Sequence, residues 1–252
     1  MSSKISVQIY SLREAGDLDT QLAMARAAGF EWIESVAGHG LAPAEFAAKV
    51  AAHGLKVSSM HVSLVLAESD LAQVIALCRA TACTLVIVPW LAMGERSATA
   101  AGWRAIGERL ARIGDQINAA GLRLAYHNHD FEFLQYDGKA ALDWIFSAAT
   151  PAQLGWEADL GWTARAGVDP LAAAKARADR LVAVHAKDIA PPSTAVNEDG
   201  WTALGSGIVP WAELARGLKP LVDLYVLEHD RPADHAAMLR SSFAFMQQHF
   251  GG

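Results

Sequence analysis

The chain has 252 residues, of which 52% are hydrophobic and 19% charged, a balance that suits a soluble protein with a large core and excludes a disordered one. Its formal net charge is −6 with no run of lysines or arginines, so the basic stripe of a nucleic-acid binder is missing. No apolar run reaches the ~18 residues of a membrane span, and Cys78 and Cys83 have neither zinc nor redox spacing, reading instead as small buried apolar residues. The opening "MSSKISVQIY" runs directly into a strand pattern at 5–10, without a signal peptide, and a reducing cytoplasm is the expected location. A helical pattern at 19–28 follows, with Asp17 placed to cap it, then a strand at 32–36 and a helix at 43–53. Next come a strand at 56–61, a helix at 69–81 with Ser69 at its start, and a strand at 84–90. A helix at 97–119 leads to a strand at 123–129, and a helix at 138–149 to a strand at 154–160. The last units are a helix at 168–178, a strand at 181–186, a helix at 210–218, a strand at 224–229 and a helix at 233–249. Glycine closes several helices just before the next strand, as in "AAGF", "AHGL" and "AAGL", where a left-handed cap is tolerated.

Strict alternation of strand and helix implies parallel strands joined by crossover helices. Eight units fit a closed (β/α)8 TIM barrel spanning 1–252 as one domain. The alternative, a doubly wound sheet, calls for a glycine-rich phosphate loop after the first strand, and "SLREAGD" is not one. The longest irregular stretch, 187–209, follows the seventh strand, and loops of that length inside a domain usually serve function.

A barrel of this kind carries its active groups at the C-terminal ends of its strands. His61 ends the third strand; His127 and His129 end the fifth, with Glu132 just beyond; Glu157 and Asp159 end the sixth. His185, Lys187 and Asp188 close the seventh strand, and Glu228, His229 and Asp230 the eighth. One histidine on a strand is ordinarily a satisfied core residue, but five successive ligand-type positions on one rim are not. Carboxylates and imidazoles without a thiolate suit a divalent ion such as Mn²⁺, Co²⁺, Mg²⁺ or Zn²⁺, which polarises a substrate carbonyl or hydroxyl. Glu157 is read as pairing with a neighbouring strand or backing the site, and Lys187 as joining His185 only if the strand has ended before it. Asp159 could equally cap the next helix and Asp188 anchor the long loop. Trp156, Trp162, Trp201 and Trp211 read as core or as faces for a sugar ring. Gly205 and Gly207 are read as turn formers ahead of an anion cradle.

The segments "YHNHDFEF" (126–133), "EADLGWTARAGVDP" (157–170), "HAKD" (185–188), "LGSGIVPW" (204–211) and "LEHDRP" (227–232) resemble the sugar phosphate isomerase/epimerase group of xylose isomerase-like TIM barrels over nearly the whole chain. The resemblance implies one divalent metal held by Glu, Asp, His and Glu from strands five to eight. By position, Asp159, His185 and Glu228 match the last three. The first falls on His127, or on Glu132 reaching back, with His129 then facing the substrate. Trp162 stands where many relatives have a histidine. The implied activity is isomerisation or epimerisation of a keto-sugar or sugar-like substrate through an enediolate. Glu228 would move the proton together with His127 or Glu132, Lys187 is a further catalytic candidate, and His61, His129, Trp162 and Trp201 would contact the substrate. Elimination by an inosose-type dehydratase or 3-keto-glycoside lyase is the alternative on the same scaffold. The abasic-site endonuclease branch shares the fold but needs a three-metal set and basic loops. The expected partner is a small sugar, without nucleic acid or membrane, and a homo-oligomer is compatible with the sequence.

Overall fold

The computed structural model describes residues 3–251. Eight parallel strands close into a barrel: β1 (Lys4–Gln8), β2 (Trp32–Val36), β3 (Lys56–His61), β4 (Leu85–Val88), β5 (Arg123–His127), β6 (Gly155–Asp159), β7 (Leu181–Ala186) and β8 (Leu224–Leu227). Each neighbours the next in chain order, and β8 pairs with β1 to close the ring. Around them lie α1 (Leu18–Ala27), α2 (Pro43–Ala52), α3 (Leu64–Ser69), α4 (Leu71–Thr81), α5 (Ala100–Ala119), α6 (Ala141–Ser147), α7 (Leu160–Arg165), α8 (Pro170–Ala176), α9 (Trp211–Leu218) and α10 (His235–His249). None of the described helices is long and apolar enough to cross a membrane.

Local chemistry sets most boundaries. Asp17 accepts from the Thr20 amide and starts α1. The helix expected at 69–81 is α4, which Asp70 rather than Ser69 caps, and a short helix not expected from the sequence, α3, precedes it with Ser63 as its cap. The first strand stops at Gln8, whose side chain accepts from the Tyr10 amide and turns Ile9–Leu12 into a 3₁₀ turn. The fifth ends at His127 and the sixth at Asp159, whose carboxylate caps α7.

The lumen has two layers. Toward the N-terminal end Leu85, Ile87, Ala125, Ala183, Leu224 and Val226 pack as a small apolar cluster, separate from the large core between strands and helices. Two residues beyond Ala125, Ala183 and Val226, on the same face of β5, β7 and β8, the side chains become polar: His127, His185 and Glu228. Two strand pairings also slip: the β2–β3 register shifts between Ile33 and Glu34, and the β6–β7 register between Trp156 and Glu157. Such irregularities re-aim side chains. Both fall immediately before a buried carboxylate.

The long loop after β7 is pinned by Asp188, whose carboxylate accepts from the amides of Gly205, Gly207 and Val209. Gly205 has a positive φ of 85° and Gly207 lies hard against Asp188, so the glycines shape a turn whose anion cradle is filled by the protein itself.

Candidate metal and substrate site

The polar layer of the lumen is built from every strand but β4. Glu157 Oε2 lies 2.8 Å from His61 Nε2, 3.1 Å from His127 Nδ1 and 3.1 Å from His185 Nε2. Glu34 Oε1 lies 2.8 Å from His61 Nε2 and 2.6 Å from His185 Nε2, and accepts from Gln8 Nε2 at 2.7 Å, while Ser59 Oγ donates to its other oxygen. One layer outward, His185 Nδ1 is 3.1 Å from Glu228 Oε2 and His127 Nε2 is 3.8 Å from Asp159 Oδ2. Lys187 Nζ lies 3.2 Å from Glu228, 2.6 Å from Asp230 and 3.9 Å from Asp159. Two sets of ligand atoms, His127–Asp159–His185–Glu228 and His61–His127–Glu157–His185, each fall within 4.8 Å of one another.

Local structure positions these groups. Asn128, between the two histidines of "YHNH", accepts from Trp156 Nε1 and the Asp159 amide and donates to the Asp159 carbonyl, tying the ends of β5 and β6 together. Asp159 Oδ1 accepts from the Trp162 amide at 2.7 Å, while the fully buried Oδ2 has no hydrogen-bond partner. Both readings of Asp159 therefore hold: one oxygen caps a helix and the other faces the cluster.

The electrostatics are unbalanced. Glu34, Glu157, Asp159, Glu228 and Asp230 face a single ammonium, that of Lys187. Burial lowers the pKa of His61, but Glu34 and Glu157 outweigh it and hold the ring up at about 9; Glu157, Glu34 and Glu228 do the same for His185. Burial, then His185, pushes His127 down to about 4, so its ring is neutral at neutral pH. Burial raises Asp159 to about 7. Burial also raises Glu228, but Lys187 and His185 outweigh it and keep the carboxylate well below its usual range. Lys187 is held above the ordinary lysine range because Glu228, Asp230 and Asp159 overcome its burial. A partnerless buried carboxylate oxygen and uncompensated negative charge are what a divalent cation relieves, and the donors His127, Asp159, His185 and Glu228 fit one.

A cavity of about 510 Å³ opens above this layer, bordered by Tyr10, His61, Trp90, His127, His129 and Glu228, a size suited to a small molecule. His129 presents an unpartnered Nδ1, and its ring is stacked on Phe131 and tilted against Trp162.

Several sequence-derived placements change. Glu132 belongs to neither ligand set: its oxygens accept from Tyr126 Oη at 2.6 Å and the His129 amide at 2.8 Å, deep in the wall. Trp201 is completely buried, edge-on to Trp162 at 4.8 Å, and cannot touch a substrate in this conformation; with Trp162 it covers the Lys187 ammonium, at 4.6 and 5.0 Å. Trp162 is half-buried and does not line the cavity. Lys187 stands just past the end of β7 and still turns to His185's side, where both meet Glu228 Oε2, at 3.1 Å from His185 Nδ1 and 3.2 Å from Lys187 Nζ. Glu157 sides with Asp159, because residues two apart on a strand share a face, and meets three imidazoles directly. Glu34 is absent from the residues singled out at strand ends, although a carboxylate inside the apolar strand "WIESV" is the kind of signal that marks a buried site.

A closed barrel with an apolar floor and an ionisable layer at the C-terminal end of its strands is a TIM barrel arranged for small-molecule chemistry. The chain belongs to the xylose isomerase-like TIM barrel family, whose model matches residues 22–249. It is similar to a sugar phosphate isomerase/epimerase from Parabacteroides distasonis, with a TM-score of 0.83 and 18% identity over 98% of this chain and 94% of that one. It is similar also to AsbF, a probable 3-DHS dehydratase from Bacillus anthracis, with a TM-score of 0.72 and 14% identity over 97% and 98% of the two chains. Over 87 residues it is 32% identical to the rhizopine catabolism protein MocC of Rhizobium meliloti, a match spanning 34% of this chain and only 26% of that protein.

Proposed function

We propose that the protein is a divalent-metal-dependent isomerase or epimerase of a keto-sugar or sugar-like substrate. The reading is carried by one observation: His127, Asp159, His185 and Glu228 converge beneath a substrate-sized cavity with Asp159 Oδ2 left without a partner. Held by these four side chains, a divalent cation would polarise a substrate carbonyl and acidify the neighbouring C–H. The chain's own groups then handle the proton. Glu228 is ionised, borders the cavity and can take a proton from a substrate carbon. His129 comes from a wall three strands away, is neutral because burial holds its pKa far down, and has an unpartnered Nδ1 with which to hold a substrate hydroxyl. His127 is bonded to Glu157 through Nδ1 and turns Nε2 toward Asp159 at 3.8 Å among the ligand atoms, while Glu132 is engaged on both oxygens, so Glu228 is the group left to move the proton. Lys187 stays charged and serves as a fixed cation opposite Glu228 rather than as a base. The half-exposed rings of Tyr10 and Trp90 offer apolar faces to a sugar's C–H surface.

Elimination begins with the same proton removal, and the likeness to a dehydratase keeps it as a second reading. Incubation of keto-sugars, inososes and 3-keto-glycosides in D₂O with Mn²⁺ or Co²⁺ separates the two. The expected result is a product of unchanged composition carrying deuterium at one carbon. Release of water or an aglycone would assign a dehydratase or lyase instead, and no exchange with any of these compounds would refute proton-transfer chemistry on them.

A further inference from the structure

We propose that His61, His127, Glu157 and His185 form a second metal position, one layer deeper than the set containing Asp159 and Glu228, and that one ion occupies either position but not both. The shared imidazoles carry the argument, because each turns a different nitrogen to each set. His127 directs Nδ1 to Glu157 at 3.1 Å and Nε2 toward Asp159 at 3.8 Å. His185 directs Nε2 to Glu157 at 3.1 Å and Nδ1 to Glu228 at 3.1 Å. A neutral imidazole has one lone pair and one N–H. An ion in the deep position takes the lone pairs of His127 Nδ1 and His185 Nε2 and leaves their other nitrogens as donors to Asp159 and Glu228. An ion in the outer position reverses every one of these bonds. The carboxylates of the empty set then orient the imidazoles of the filled one, as carboxylates behind metal-bound histidines do.

The deep position is already convergent. Three imidazole nitrogens, from β3, β5 and β7, crowd within 3.1 Å of Glu157 Oε2. Meanwhile Glu157 Oε1, equally buried, has no partner at all. Glu34 Oε1 also meets the His61 and His185 nitrogens, at 2.8 and 2.6 Å, and the three nitrogens with the Glu157 carboxylate around one point make a four-ligand cation site. Three imidazoles with one carboxylate select a borderline first-row ion such as Zn²⁺ or Co²⁺ over Mg²⁺ or Ca²⁺. The inference rests on the metal part of the proposed function and not on its reaction.

Cobalt alone is the probe, because its visible absorption reports coordination without any substrate. Wild-type protein should bind one Co²⁺ per chain. The double variant Asp159→Asn/Glu228→Gln should still bind one, with the intense bands of a four-coordinate ion, although sugar exchange is lost. The variant His61→Ala/Glu157→Gln should lose those bands and keep a weaker-absorbing ion in the outer set. Failure of the first variant to bind Co²⁺ while circular dichroism shows it folded, or two ions per wild-type chain, would overturn the proposal. Should that variant not fold, anomalous scattering from Co²⁺-soaked wild-type crystals decides: a peak between His61 and Glu157 supports the deep position, and density confined to Asp159 and Glu228 refutes it.

Discussion

The floor and the roof of the barrel lumen are made by the same strands, two residues apart, and they obey opposite rules. On β5 the step runs from Ala125 to His127, on β7 from Ala183 to His185, and on β8 from Val226 to Glu228. The floor removes apolar surface from water and holds the ring of strands together. The roof takes more carboxylates out of water than Lys187 and the raised His61 and His185 can balance, which works against stability. The lesson is that the fold does not need the roof, so losses there should appear in chemistry and ion binding, and losses below in stability.

The largest expected effect tests the roof. Glu228→Gln should slow solvent exchange of the substrate proton about 10³-fold, equivalent to about 4 kcal/mol of barrier, with no loss of thermal stability. Deuterium incorporation followed by mass spectrometry measures it, and exchange at the wild-type rate would move the proton-handling role elsewhere. The floor gives the mirror image: Ile87→Ala should cost about 3 kcal/mol in urea unfolding while exchange per folded molecule is unchanged.

Glu132 sharpens the comparison, since it is a buried carboxylate of the wall belonging to neither layer. Burial raises its pKa from 4.5 to about 7, partly opposed by its bonds from Tyr126 and the His129 amide. The folded state therefore binds the proton more tightly than the unfolded chain. Its stabilising contribution is complete below pH 4.5 and is lost as pH rises through about 7. The shift corresponds to about 3 kcal/mol. The unfolding free energy of wild type minus that of Glu132→Gln, from urea melts at pH 4.5 through 8, should fall with rising pH; a difference independent of pH would rule this account out. The smallest effect contrasts two helix-capping aspartates. Asp17→Ala should cost about 1 kcal/mol and leave metal binding intact, because its carboxylate only caps α1 at the surface. Asp159→Asn can keep a cap on α7 and should still vacate the outer position, read as a shift of bound Co²⁺ to the intense bands of the deep, four-coordinate set at unchanged stoichiometry.

Much of this is legible in the order of the residues. Period-two strands alternating with capped helices imply the barrel, and barrel geometry alone directs attention to strand ends, where His61, His127, Asp159, His185 and Glu228 all lie. Glu132 is legible as a carboxylate near a histidine pair but not as the partner of Tyr126, because side-chain direction beyond the end of a strand follows no period. Trp201 likewise reads as a sugar platform, and only its burial beneath Trp162 removes it from that role.

Composition and periodicity, then, determined the architecture and the end of the barrel where chemistry collects, because side-chain alternation and crossover connections are local consequences of the chain. Only the tertiary structure decided which oxygens meet which nitrogens. The register slips beside Glu34 and Glu157 bring carboxylates from β2 and β6 against imidazoles from β3, β5 and β7, and a register between strands far apart in sequence depends on how the whole ring closes.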